Sequence, residues 1–112
     1  MGHRILCHNF HAGFAEIDLI SLRSAGIHYI EVKNYVSANR IHPLETLTGH
    51  KINKMRQASK VFCQSYMDYV CQKNKQKSLD KNIIIDIVAL DPSFDLIWVK
   101  SDTLFEYFPG VF

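Results

Sequence analysis

Apolar and polar positions alternate along this chain with two periods, and the change of period separates a strand-rich beginning, a helix and a strand-rich end. Arg4 to Asn9 predicts a short edge strand, followed by a loop through His11-Ala12-Gly13. Glu16 to Leu22 and Ile27 to Asn34 each alternate charged or polar with apolar residues, and the turn-forming Arg23-Ser24-Ala25-Gly26 lies between them. Two such runs predict a β-hairpin. Residues 36–46 contain Ser37, Asn39 and Pro43 and predict a loop. From about Leu47 the period lengthens. Ile52, Met55, Ser59, Phe62, Tyr66 and Tyr69 recur at steps of three and four, the apolar stripe of a helix over 47–72 that fades where Lys, Gln and Asn dominate. Ile83 to Leu90 predicts a buried strand interrupted by Asp86, Asp91-Pro92-Ser93 a turn, and Leu96 to Lys100 a closing strand. The expected order is β-β-β-α-β-β, an α/β domain whose mixed sheet of about five strands packs on one long helix. The aromatic end, Phe105-Glu106-Tyr107-Phe108 to Phe112, predicts packing on the core or a dimer or partner surface.

Centring the hairpin turn between Ser24 and Ala25 places Asp18 opposite Glu31 and Glu16 opposite Lys33. Opposed residues, and residues two apart on a strand, share one face, so all four ionisable groups come together while Ile17, Leu19, Ile30 and Val32 back them. Opposed carboxylates repel, and the repulsion grows where the sheet is half-buried. A hard divalent cation between Asp18 and Glu31 relieves it, since Mg²⁺ or Mn²⁺ prefers oxygen and is held by one or two carboxylates with substrate phosphate. Neutralisation by Lys33 in an ordinary surface network relieves it too.

Composition narrows the setting. The chain has 112 residues, 47% hydrophobic and 21% charged, which fits one soluble globular domain over 1–112. No apolar run approaches a bilayer span, and the first residues form no secretory signal, so a cytoplasmic, non-membrane protein is expected. The three cysteines, Cys7, Cys63 and Cys71, do not form a disulfide framework. Residues 45–81 carry eight lysines and arginines against three acids, while the remainder carries five against eight. A basic helical segment beside an acidic remainder suits a polyanionic partner and a separate carboxylate cluster; a solvated lysine-rich helix is the simpler alternative.

The stretch Ala15-Glu16-Ile17-Asp18-Leu19-Ile20, followed by Tyr29-Ile30-Glu31-Val32-Lys33, resembles the "GEIDLI … FVEVK" signature of the YraN-like family of small bacterial proteins. The likeness continues through Pro43, Glu45, Lys51, Ile52 and Ala58, through Ile85-Asp86-Ile87-Val88-Ala89, and through Ile5-Leu6-Cys7-His8-Asn9-Phe10 at the start. That family is placed in the PD-(D/E)XK superfamily of nucleases. The resemblance implies a restriction-endonuclease-like fold, here without the helix with which the family opens, and a Mg²⁺- or Mn²⁺-dependent deoxyribonuclease. Asp18 and Glu31 would be metal ligands together with the Val32 carbonyl. Lys33 would orient or deprotonate the attacking water, and Glu16 would act from the outer shell. Lys51, Lys54, Arg56 and His11 would touch phosphates of DNA, structured or branched, with a homodimer or a DNA-processing protein as a further partner. A role in recombination, repair or DNA uptake follows from the superfamily alone. Ala15 replaces the family's glycine, and Tyr35 and Ile84 replace two of its basic residues.

Other chemistries find less support. Cys7-His8-x-x-His11 offers three zinc-type ligands without a fourth at a familiar spacing. Glycine-rich phosphate loops and a nucleophile elbow are missing from the sequence. A nucleic-acid-binding module with negligible turnover, or a protein–protein adaptor using the aromatic end, remains the reading from a different class.

Overall fold

The computed structural model describes residues 2–13, 15–23, 26–34, 43–77, 92–101 and 103–112. Three strands come first: β1 (Arg4–His11), β2 (Glu16–Arg23) and β3 (Gly26–Asn34). A short 3-10 turn at Pro43–Thr46 precedes the helix α1 (Gly49–Lys77), and β4 (Ser93–Val99) and β5 (Phe105–Phe108) follow. The sheet runs in the order β1-β2-β3-β4-β5. It is mixed, because β3 and β4 are parallel while the other neighbours are antiparallel. The expected order β-β-β-α-β-β is therefore found, with two shifts. The closing strand begins at Ser93 instead of Leu96, and the aromatic end supplies a strand of its own. The expected strand at Ile83–Leu90, with Asp86, the hairpin turn at Ser24-Ala25 and most of the 36–46 loop lie outside the described residues.

The hairpin register is the one the alternation predicts, from Leu19↔Ile30 to Arg23↔Gly26. Beyond Leu19 the regularity ends. On the other side of β2 the pairs His8↔Leu19 and Phe10↔Ile17 flank Asn9, which adopts a left-handed backbone at φ 52°. Asparagine tolerates that conformation better than most residues. Past the last β2–β3 pair, Ile17 joins Ile20, Tyr29, Ala58, Phe62 and Phe94 in one core on the helix side. Strict alternation would have sent Ile17 to the opposite face. The register shift between β1 and β2 lies further along, between Ile5 and Cys7, a bulge of the kind that re-aims side chains.

The helix is capped by Thr48, whose hydroxyl accepts the Lys51 N–H at 3.2 Å. Met55, Ala58, Ser59 and Phe62 form its buried stripe, as the spacing predicts, whereas Tyr69 is exposed. Tyr29 ties strand to helix by donating its hydroxyl to the Ser59 carbonyl at 3.3 Å. The helix continues to Lys77. Lys and Gln are good helix formers even where no apolar stripe directs them, which accounts for the extra turn.

On the sheet face away from α1, Asp95 is fully buried. Its carboxylate accepts Ser93 Oγ at 2.5 Å and Gly110 N–H at 2.9 Å on one oxygen, and His28 Nδ1 at 2.7 Å and the Tyr107 hydroxyl on the other. Burial pushes its pKa up, but these hydrogen bonds outweigh it and hold the carboxyl below the ordinary aspartate range. His3 packs edge-on to His28 and meets Ser21 Oγ of β2 at 2.9 Å, extending the network from β3 to β2. Beside it, Ile5, Leu19, Ile30, Ile97 and Phe105 line an apolar hollow of about 190 Å³.

Candidate active site

Asp18, Glu31, Lys51 and Lys54 line one pocket of about 240 Å³, together with Ala15, Glu16 and Met55. Each side chain arrives by a different local device. Asp18 sits where the β2 ladder lapses, and its Oδ2 accepts the backbone N–H of Val32 at 2.8 Å. A side-chain carboxylate thus stands in for a main-chain carbonyl and is pinned against β3. The two acids share a pocket, as the hairpin register predicts. Asp18 reaches it through an irregular strand instead of through regular pairing with Glu31.

Glu31 belongs to the regular part of β3, opposite Leu96 of β4, and is only 6% exposed. Its Oε1 receives Lys51 Nζ at 3.1 Å and Lys33 Nζ at 3.6 Å. Burial pushes its pKa above the usual range; the hydrogen bond from Lys51 opposes that shift and the charge of Asp18 adds to it. Lys33 moves the other way. The adjoining Lys51 ammonium, and then burial, lower its pKa. An amine that gives up its proton more readily is better suited to general-base work.

Lys51 lies in the first turn of α1, which contains no acid. A cation there works against the helix dipole, so the helix gains nothing from it. Lys54, one turn further, faces the same pocket. Helix N-terminus and lysines together present a positive rim to the carboxylates, an arrangement suited to a phosphate.

Other expected contacts fall elsewhere. Glu16 lines the pocket, but its ion partner is His11, Nε2 to Oε1 at 3.6 Å, and Lys33 turns to Glu31. His11 therefore stands near the mouth, 70% exposed in its side chain. Arg56 points away, its guanidinium 5.4 Å from the centre of the Phe94 ring. Cys7 packs against the core while His8 is exposed, so the Cys-His-x-x-His run does not converge on a zinc site. Among the described residues no three His, Cys, Asp or Glu side chains form a ready-made metal cage. Two carboxylates nevertheless fit Mg²⁺ or Mn²⁺, which commonly take one or two and complete their shell with water and phosphate. Sequence reasoning missed the network around Asp95. Its only local signal is an acid between Phe94 and Leu96 in an otherwise apolar strand.

The chain belongs to the family described as Uncharacterised protein family UPF0102, the YraN family, whose model matches residues 1–99. It is 34% identical over 91 residues to the UPF0102 protein of Helicobacter hepaticus, covering 75% of this chain and 80% of that one. It is 28% identical over 90 residues to the UPF0102 protein of Wolinella succinogenes, covering 80% and 70%. Against the UPF0102 protein of Chlorobium phaeobacteroides it is 37% identical over 65 residues, 58% of this chain and 52% of that one. The resemblance read from the two hairpin motifs is thus borne out at the level of family. No helix among the described residues is long and apolar enough to cross a membrane.

Proposed function

We propose that this protein is a Mg²⁺- or Mn²⁺-dependent nuclease that hydrolyses phosphodiester bonds in DNA, structured or branched, in the cytoplasm. The observation that carries the reading is the meeting of Asp18, Glu31, Lys51 and Lys54 around a single pocket, with Lys33 paired to the Glu31 carboxylate. Asp18 and Glu31, with the Val32 carbonyl, would hold the cation, which supplies Lewis acidity and lowers the pKa of water when bound. Lys33, an ammonium paired with Glu31, would orient the attacking water and offset charge growing on the phosphate oxygens. Water adds at phosphorus and gives up a proton to solvent, the bond to the leaving oxygen breaks, and that oxygen takes up a proton from solvent. Lys54 and Lys51 hold the flanking phosphates, giving affinity that falls with salt and little sequence preference. Glu16 acts from the rim.

A second reading is favoured by the same Glu31. Its oxygen is already matched by two ammonium groups, which is also what a phosphate-binding module without turnover would contain. Incubation with Mn²⁺ and single-stranded, flapped and four-way DNA, beside an Asp18→Ala control, separates the two. Cleavage lost in the control supports the nuclease, and cleavage retained by it places the chemistry elsewhere. Binding without cleavage by either protein supports the module.

A further inference from the structure

We propose that Lys51 is a positioning residue that occupies Glu31 until a phosphate takes over its ammonium group, so that divalent metal and nucleic acid bind cooperatively. The proposal rests on the nuclease reading and adds to it a coupling between two ligands. The geometry is unusual for a carboxylate that is to hold a cation. One buried oxygen of Glu31 receives both Lys51 Nζ, at 3.1 Å, and Lys33 Nζ, at 3.6 Å. A carboxylate removed from water requires such partners. A dication arriving beside Asp18 and Glu31 would meet both ammonium groups at close range, and like charges in a half-buried pocket oppose each other strongly.

Relief is available to one lysine more than to the other. Lys33 is fixed by β3, at the register of Trp98 on β4. Lys51 stands on the first turn of α1, where it opposes the helix dipole, and its flexible stem can carry the ammonium to a new partner. The landing place is next to it, because Lys54 lines the same pocket. A phosphate bound between Lys54 and Lys51 draws Lys51 off Glu31 and relieves the carboxylate oxygen of the nearer of its two ammonium groups. Metal without phosphate is then bound weakly, and each ligand raises the affinity of the other by an equal factor.

The test measures Mn²⁺ affinity, by the electron-spin signal of free Mn²⁺ and by calorimetry, with and without a saturating phosphorothioate DNA duplex that resists cleavage. The wild-type chain should bind Mn²⁺ about fivefold or more tightly with the duplex than without it. Lys51→Met should bind Mn²⁺ about tenfold more tightly without DNA, and the duplex should then add little. Lys51→Arg, which keeps the charge, should return to wild-type behaviour. Lys51→Gln repeats the measurement should Lys51→Met fail to give a folded circular-dichroism spectrum. Unchanged or weaker Mn²⁺ binding in the neutral variants overturns the proposal. When Mn²⁺ binding is present and abolished by Asp18→Asn, that result leaves the metal-dependent reading standing. Absence of Mn²⁺ binding by every variant, with or without DNA, overturns both.

Discussion

Replacing Asp95 with alanine should unfold the chain at markedly lower denaturant while leaving the pocket around Asp18 and Glu31 chemically competent. Asp95 is fully buried and its carboxylate satisfies Ser93, Tyr107, His28 and the Gly110 N–H. Truncation strands these donors and removes the partner of His28, a class of change that costs about 3–5 kcal/mol. Against a total stability of about 5–15 kcal/mol for a domain, that is a large share. Urea unfolding at neutral pH, followed by circular dichroism, measures it. The pH dependence has a definite sign. In the folded chain Asp95 titrates below its unfolded value of about 3.9, so its contribution is complete above that pH and fades as pH falls through the folded value. The difference between wild type and Asp95→Ala should therefore shrink in acid. A loss below about 1 kcal/mol at neutral pH would show that solvent reaches these donors and that the network does not hold β4, β5 and the following turn together.

Three further outcomes follow from the same geometry. Lys33→Met should lower the cleavage rate by about a hundredfold or more, read in single-turnover experiments, while Mn²⁺ affinity is not weakened. Lys54→Ala should reduce the slope of log affinity for DNA against log salt by about one, whereas Arg56→Ala, which faces Phe94, should leave that slope unchanged. Phe62 stands edge-on to Phe10 and Tyr29 and stacks on Tyr66, so Phe62→Ala should cost about 3–5 kcal/mol in thermal or urea unfolding.

The hairpin was legible because a short turn and one-sided burial leave few registers, and the pairs from Leu19↔Ile30 to Arg23↔Gly26 fell where alternation put them. The helix stripe was legible for the same reason, a period that only one element satisfies. Four things were not. Alternation assumes a regular ladder, so it could not foresee that Asp18 would take the Val32 N–H or that Ile17 would turn to the helix side. The helix end was set by the propensity of its lysines and glutamines, not by the hydrophobic stripe. The Asp95 network joins His28 to Asp95 across 67 positions and to Tyr107 across 79, and no local pattern records such a meeting. Residues 105–108 were read as an aromatic patch, yet Phe-Glu-Tyr-Phe pairs with Leu96 to Val99 as an ordinary antiparallel edge.

The parallel pairing of β3 with β4 has a kinetic consequence. Strands β1, β2 and β3 are sequential neighbours that can zip together within the first third of the chain, while β4 reaches β3 only after the long helix has been crossed. Contacts near in sequence form first and distant ones later. A nascent or partly refolded chain would then hold its two acids side by side before the lysines of α1 arrive to balance them. Assembly of the complete charge arrangement thus reports that α1 has docked on the hairpin.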